Sequence, residues 1–404
     1  MPVGRVTDSR EYATDTPTGK LVRTKHTIPF TDQFVRGAAD LEITSEGAIP
    51  HRIATANRHR YRDPQLMGAE AQPSGVRVEL LTAATTVELT VHTTRFTYAG
   101  ITRPRGQIDI EVDGHIIASH ALTGGTALET DFATGTTSRT VGPDDVVTIS
   151  DLPTGTHHIA MWLPFNEQVE LRSLVADAAA LPVAAAGVTW INYGSSISQG
   201  SNAASPTGIW PVVAARNTGN VDLINMGFGG SAMADPFIAR QIAQTRADVI
   251  SASIGINVVN LDAMHERIFV PLVHGFLDTI RDGHPTTPIL LITPIFCGIH
   301  EDTPGPGAFD PAAFATGTAR FIATGDPADA APRHLTLTSI RRLLTSISNE
   351  RSDPHLHLID GLELFGAADA EALPLPDALH PGPAAHDLIG TRFARFLCTV
   401  ASAR

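Results

Sequence analysis

Between residues 76 and 162 apolar and polar positions alternate with a period of two: Val76, Val78 and Leu80, then Val87, Leu89 and Val91, then Ile108, Ile110 and Val112. Alternation of this kind puts one face of a strand into a core and leaves the other face wet. Asp113-Gly114 follows the third run directly, and this dipeptide suits a two-residue type I′ turn because both residues tolerate positive φ. A hairpin into Ile116-Ile117-Ala118 is therefore expected. Val146-Val147-Thr148-Ile149 and His158-Ile159-Ala160-Met161-Trp162 supply later strands. The pattern predicts an all-β sandwich or jelly roll over residues 26–175, preceded by a mobile segment over 1–25.

The period changes after an Ala/Pro-rich stretch, 176–187, which reads as a linker. Beyond it, from 188 to 404, short apolar runs alternate with helical patterns, as in a parallel α/β sheet. The strand candidates are Val188–Tyr193, Val221–Asn225, Val249–Ile254, Ile289–Thr293 and Leu356–Asp360. Phe269, Leu272, Val273, Phe276, Leu277 and Ile280 fall on one face of a helix that Gly283 and Pro285 end. A further helix is expected after Thr336 and a last one from about Ala384 to Val400. Five strands with intervening helices predict a flavodoxin-like three-layer sandwich, whose ligands bind beyond the carboxyl ends of the strands.

Composition narrows the partners. The chain of 404 residues is long enough for two cores. Its net charge of −13 argues against a phosphate-backbone surface, which needs clustered Lys and Arg, so nucleic acid is not an expected partner. Cys297 and Cys398 are too few for a disulfide framework or a four-cysteine zinc site, and both are expected to be free and buried. The polar first twenty residues and the lack of a long apolar run lead to the expectation of a cytoplasmic protein without a membrane partner.

The residues with chemistry sit where such a fold would bind a ligand. The first α/β strand runs into Gly194-Ser195-Ser196, the second into Gly227-Phe228-Gly229-Gly230 and the third into Gly255-Ile256-Asn257; Asp377-Ala378-Leu379-His380 precedes the last helix. An Asp three residues before a His lets one turn present both side chains, so the carboxylate can hold the imidazole while its other nitrogen faces a serine. Taken singly, each segment has an ordinary reading as a loop, an N-cap or a surface charge. Four such segments in order, each after the appropriate element, point to one cleft and to acyl transfer.

In these segments the chain resembles the GDSL family of serine esterases, also called SGNH hydrolases, over roughly residues 188–400. The resemblance implies Ser196 as nucleophile, His380 as base and Asp377 as its carboxylate. It further implies an oxyanion hole from Ser196, Gly230 and Asn257. Two positions depart from the family pattern: Ser195 stands where an Asp usually precedes the nucleophile, and Val258 where an Asp often follows the asparagine. Ser195 and Ser198 are therefore competing hydroxyls, and the spacing from Gly194 to Gly200 favours Ser196.

Metal chemistry has little support. His355-Leu356-His357, His300-Glu301-Asp302 and His265-Glu266 lack the spacing of a zinc motif, so neither a metal nor a cofactor is expected. The leading expectation is hydrolysis of a carboxylic ester through an acyl-enzyme. The alternatives are an acyltransferase that moves an acyl group from a thioester or ester donor to a hydroxyl acceptor in tailoring a secondary metabolite, and an inactive carbohydrate-binding protein. The expected partners are thus a small ester or acyl donor and a hydroxylated acceptor. Trp210, Phe228 and Phe296, with the Gly/Pro-rich stretch 298–332, are expected to shape the pocket. The segment 183–404, which carries every candidate residue, is expected to keep some probe labelling at Ser196 when expressed alone but to lose preference for its natural substrate, or solubility, with the β-sandwich walling one side of the cleft or holding part of the substrate.

Overall fold

A computed structural model describes residues 25–402 apart from 62, 132–133, 185–186 and 331–332, so the mobile segment expected over 1–25 lies, but for Lys25, outside the described residues. The first half is a sandwich of two sheets. In one, Thr136–Val141, Thr126–Asp131, Val87–Tyr98, Gln168–Ala176, Ala48–His51 and Asp40–Ile43 pair in that order. In the other, Ala180–Leu181, Arg77–Thr82, His157–Trp162, Gln107–Val112 and His115–Ala121 do so. Val78, Leu80, Leu89, Val91, Ile108 and Ile159 meet between them, all fully buried, which is what the alternating pattern requires. The hairpin turn forms with Asp113 at φ +51° and Gly114 at φ +84°.

Two strands differ from the half-buried expectation. His115–Ala121 is an edge strand, and Ile117 is 53% exposed there. In Arg77–Thr82 the supposedly wet face is buried as well: Arg77 and Glu79 are covered where this sheet meets the second domain, and Arg77 Nη2 donates to Asp222 at 2.8 Å.

The second half is built on a parallel five-stranded sheet in the order Val221–Gly227, Val188–Gly194, Val249–Ser253, Ile289–Ile292, Leu356–Ile359. With strand one second in the order, connections leave to both sides of it, and the strand carboxyl ends around it form the binding crevice. The helix Glu266–Gly283 buries Phe269, Val273, Phe276, Leu277 and Ile280 on one side of the sheet. Leu337–Arg351 starts with a capping box between Thr336 and Ser339. Pro383–Ser402 buries Ile389, Phe393 and Leu397 on the opposite side. Cys297 is buried, but Cys398 on that last helix is exposed, contrary to expectation, because it falls on the helix face turned away from Phe393 and Leu397.

Residues 52–75 form a strap from the sandwich to the α/β sheet. Ile53, Leu66 and Ala69 are buried in the α/β core beside Tyr193 and Phe228 rather than in the sandwich. Arg52 is 1% exposed; its Nη1 donates to the carbonyl of Asn225 at 3.1 Å and to that of Gly227, its Nη2 to that of Ala69, and its guanidinium lies 5.0 Å from the Phe228 ring. Burial pushes this guanidinium down to about 9, which still leaves it charged at neutral pH.

Candidate active site

The strand Val188–Gly194 ends in a sharp turn into the short helix Ser196–Gln199. Ser195 caps that helix: its hydroxyl accepts from the amide of Ile197 at 3.2 Å and is 4% exposed. Ser198 is buried as well, and its carbonyl accepts from the side chain of Asn225 at 2.9 Å. Ser196 is the half-buried hydroxyl of the three, and its Oγ lies 2.9 Å from His380 Nε2. His380 Nδ1 lies 2.7 Å from Asp377 Oδ2. The other carboxylate oxygen, Oδ1, accepts from the amides of His380 at 2.7 Å and Leu379 at 3.0 Å. The D-x-x-H turn thus holds its own carboxylate by main-chain bonds, with Ala378 at φ +68° making the bend.

Burial alone would push the Asp377 carboxyl up. The hydrogen bond and charge of His380, with the two amides, outweigh it and hold Asp377 at about 2. A ring edge completes the imidazole's setting, since Phe321 meets His380 at a centroid distance of 5.6 Å and an interplanar angle of 77°.

Two further loops face the serine turn. Gly230 adopts φ +69°, a left-handed conformation that glycine takes without a Cβ penalty, and neither its amide nor that of Ser196 donates to a protein acceptor among the described residues. Asn257, 4% exposed at the start of the helix Ile256–Asn260, accepts from the amide of Ala232 at 3.0 Å through Oδ1. Because an N–H meets only the oxygen of that side chain, its NH2 group is left as the outward donor.

A cavity of about 550 Å³ opens onto Asp377 and His380. One wall comes from the α/β domain and the other from the sandwich, at Arg95–Tyr98, Ile101–Gln107 and Phe165–Glu167. Phe309 and Phe321 line it too, on a small antiparallel ribbon, Gly307–Phe309 with Phe321–Ala323, that folds out of the Gly/Pro-rich stretch.

Two family models match separate parts of the chain. Residues 189–297 match the GDSL-like lipase/acylhydrolase family, and residues 34–172 match the N-terminal domain of SsfX3. The chain carries a GDSL-like acylhydrolase domain. Serine-dependent acyl transfer is its chemistry, and the sheet order just described is the SGNH arrangement. Among solved structures the chain is similar to the salicylyl-acyltransferase SsfX3 from a tetracycline biosynthetic pathway, at 23% identity and TM-score 0.76 over 93% of this chain and 97% of the other. A GDSL-like lipase from Bacteroides ovatus is similar at 16% identity and TM-score 0.66, over 94% and 98%. A family two carbohydrate esterase from Cellvibrio japonicus is similar at 12% identity and TM-score 0.57, over 94% and 98%. None of the curated proteins compared matches this sequence.

Not every expected residue of the GDSL-like domain lies at the cleft. Trp210 is 3% exposed, packs against Trp190 and Phe393 and lines a small cavity of about 30 Å³ beside Ser195, Ile197 and Ser198 rather than the open cleft, and Phe228 is fully buried beside Tyr193 in the core. Large aromatic rings next to strand ends fill the space between sheet and helices, which a sequence does not distinguish from lining a pocket. Phe296 is half-buried against the same core as Trp210.

Sequence reasoning missed four residues around the turn. Asn202, at φ +65°, donates through Nδ2 to Asp377 Oδ2 at 3.0 Å. Gln65 of the strap donates to the carbonyl of Gly229 at 2.9 Å. Ser74 donates to the Gln199 carbonyl at 2.5 Å and accepts from Asn225 at 2.9 Å, while Gln72 accepts from Gln199. An Asn two residues beyond a left-handed Gly200 is the one local signal present; the strap residues have none, since only the tertiary fold brings them here. Part of the hydrogen bonding at the nucleophile turn thus comes from Gln65, Gln72 and Ser74, which lie outside the α/β segment.

Proposed function

We propose that Ser196 is the nucleophile, His380 its general base, Asp377 the carboxylate that holds the imidazole, and the main reaction hydrolysis of a carboxylic ester. The continuous hydrogen-bond run from Ser196 Oγ through His380 to Asp377 carries this reading. His380 Nε2 takes the hydroxyl proton as Oγ bonds to the ester carbonyl carbon, and Asp377 stabilises the imidazolium. The amides of Ser196 and Gly230 and the NH2 of Asn257 receive the oxyanion, each donor contributing about 3 kcal/mol in the transition state. His380 then protonates the departing alcohol, leaving acyl-Ser196. Water, deprotonated by the same imidazole, releases the acid.

Transfer to a hydroxyl acceptor is the second reading. The size of the cavity, about 550 Å³, supports it, since an acceptor fits there beside the acyl group. The full-length likeness to an acyltransferase supports it as well. The proposed division is a sandwich over 26–175 and an acyl-transfer domain over 188–404, with residues 52–75 strapping the two together. A cytoplasmic location belongs to the proposal and is supported by two unpaired cysteines.

A fluorophosphonate probe tests the core of the proposal. Peptide mapping is expected to find the adduct on Ser196, and Ser196→Ala to abolish it; an adduct on Ser195 or Ser198 would overturn the assignment. Product partitioning between water and added alcohols then separates the two readings.

A further inference from the structure

We infer that the cleft binds an anionic substrate, an ester or thioester bearing a carboxylate or phosphate that Arg95 and Arg103 of the sandwich hold; the inference rests on Ser196 as nucleophile. The charges around the cavity carry it. Its cations from arginine are Arg95, Arg103 and Arg105, and its carboxylates are Glu167 and Asp377. Arg105 and Glu167 neutralise one another, through Nε to Oε1 at 2.8 Å and Nη2 to Oε2 at 3.2 Å, and Glu167 also accepts from the amide of Gly106 at 2.7 Å. Asp377 is occupied by His380 and Asn202. Arg95 and Arg103 face no carboxylate among the described residues.

Two uncompensated guanidinium groups on one wall are the reverse of what the whole chain offers, since acidic residues outnumber basic ones 42 to 29. Such a wall focuses a positive field in a walled cleft, and a planar guanidinium fork matches carboxylate and phosphate oxygens. The surroundings fit a ligand rather than bare solvent. Arg103 lies 5.7 Å from the Tyr98 ring, and Phe96, between Arg95 and Tyr98 on the same strand end, is 38% exposed. In the same cavity Phe309 and Phe321 meet in a tilted pair with ring centroids 4.8 Å apart, and Phe321 in turn meets His380. An anion at the arginines would have apolar rings along its path to the base.

Three esters test this: 4-nitrophenyl acetate as the neutral reference, mono-4-nitrophenyl glutarate with a carboxylate on the acyl group, and S-acetyl-4′-phosphopantetheine with a phosphate on the leaving group. In the wild type, kcat/KM for at least one anionic member relative to the acetate is expected to exceed about tenfold, and to fall as NaCl rises because exposed charges are screened. In Arg95→Gln/Arg103→Gln that ratio is expected to drop about tenfold, through KM. The member that responds identifies carboxylate or phosphate as the group read. Binding is also measured without turnover, by calorimetry with glutarate and with 4′-phosphopantetheine, where a Kd weakened about tenfold in the double variant is expected. A wild-type ratio near one for both anionic esters, or a ratio and Kd unmoved by salt and by the double substitution, would overturn the inference. Failure of the nucleophile assignment looks different: Ser196 stays unlabelled while the calorimetric arms still report on the arginines.

Discussion

Asn202 donates to the same oxygen of Asp377 that His380 Nδ1 meets, at 3.0 Å and 2.7 Å respectively. Asp377 Oδ2 is thus held from two sides while Oδ1 is held by the turn, which leaves the carboxylate one orientation. A hydrogen bond to a charged group contributes about 1.5–3 kcal/mol. Asn202→Ala is accordingly expected to lower kcat roughly tenfold with little change in KM, read by steady-state kinetics on a neutral ester. An unchanged kcat would make Asn202 a loop residue whose bond to Asp377 has no bearing on the imidazole.

Asp377→Asn should cost far more, by about ten thousandfold in kcat, because the amide favours the wrong imidazole tautomer. The pH dependence follows from the depressed carboxyl. A folded-state value of about 2 against an ordinary 3.8 contributes stability that is fully present above about pH 4 and is lost as pH falls through 2. The contribution is about 2 kcal/mol. Urea unfolding across pH 2 to 5 should show this slope in the wild type and a shallower one in Asp377→Asn; parallel profiles would contradict the pairing.

Asn257→Ala removes an oxyanion donor that acts mainly in the transition state, so kcat is expected to fall by about a hundredfold to a thousandfold at nearly constant KM. A raised KM with normal kcat would reassign Asn257 to ground-state binding. The bond from Ala232 predicts a companion effect: Asn257→Asp keeps the acceptor but loses the donor, and it should be at least as inactive as the alanine variant.

The parts of this site legible in the sequence are those that repeat a local rule. Period-two runs marked strands before the 176–187 stretch and short apolar runs marked those after it, and the residues immediately after three α/β strands lie around one turn because parallel strands deliver their carboxyl ends to one edge. Asp377 and His380 were legible for the same reason, being three residues apart in a single turn. Phe228 lies in the core and Trp210 lines only a small cavity beside the serine turn, since apolarity near a strand end says nothing about which side of the backbone is wet. Arg52 carried no signal at all. A lone arginine in a polar stretch reads as solvated, and only the docking of two sheets reveals that it is buried on main-chain carbonyls.

That buried arginine leads to the remaining prediction. Arg52 ties the sandwich to the carbonyls of Asn225 and Gly227, at the end of the strand that leads to Gly230, so its removal leaves buried acceptors unpaired beside the proposed oxyanion hole. Arg52→Ala is expected to destabilise the chain by about 3 kcal/mol or more and to lower kcat as well. Arg52→Lys, which keeps the charge but cannot fork to three carbonyls, should recover only part of either loss. Truncation to residues 183–404 removes Arg52 together with Ile53, Leu66 and Ala69, uncovering apolar core beside Tyr193 and Phe228. The fragment is expected to aggregate or to unfold without cooperativity, and to lose fluorophosphonate labelling at Ser196. Both properties are measurable on one preparation, by denaturant titration and by probe mass. A soluble, cooperatively folded fragment that still labels would show that residues 52–75 are dispensable to the turn, and that the loss in Arg52→Ala arises from the buried hole alone.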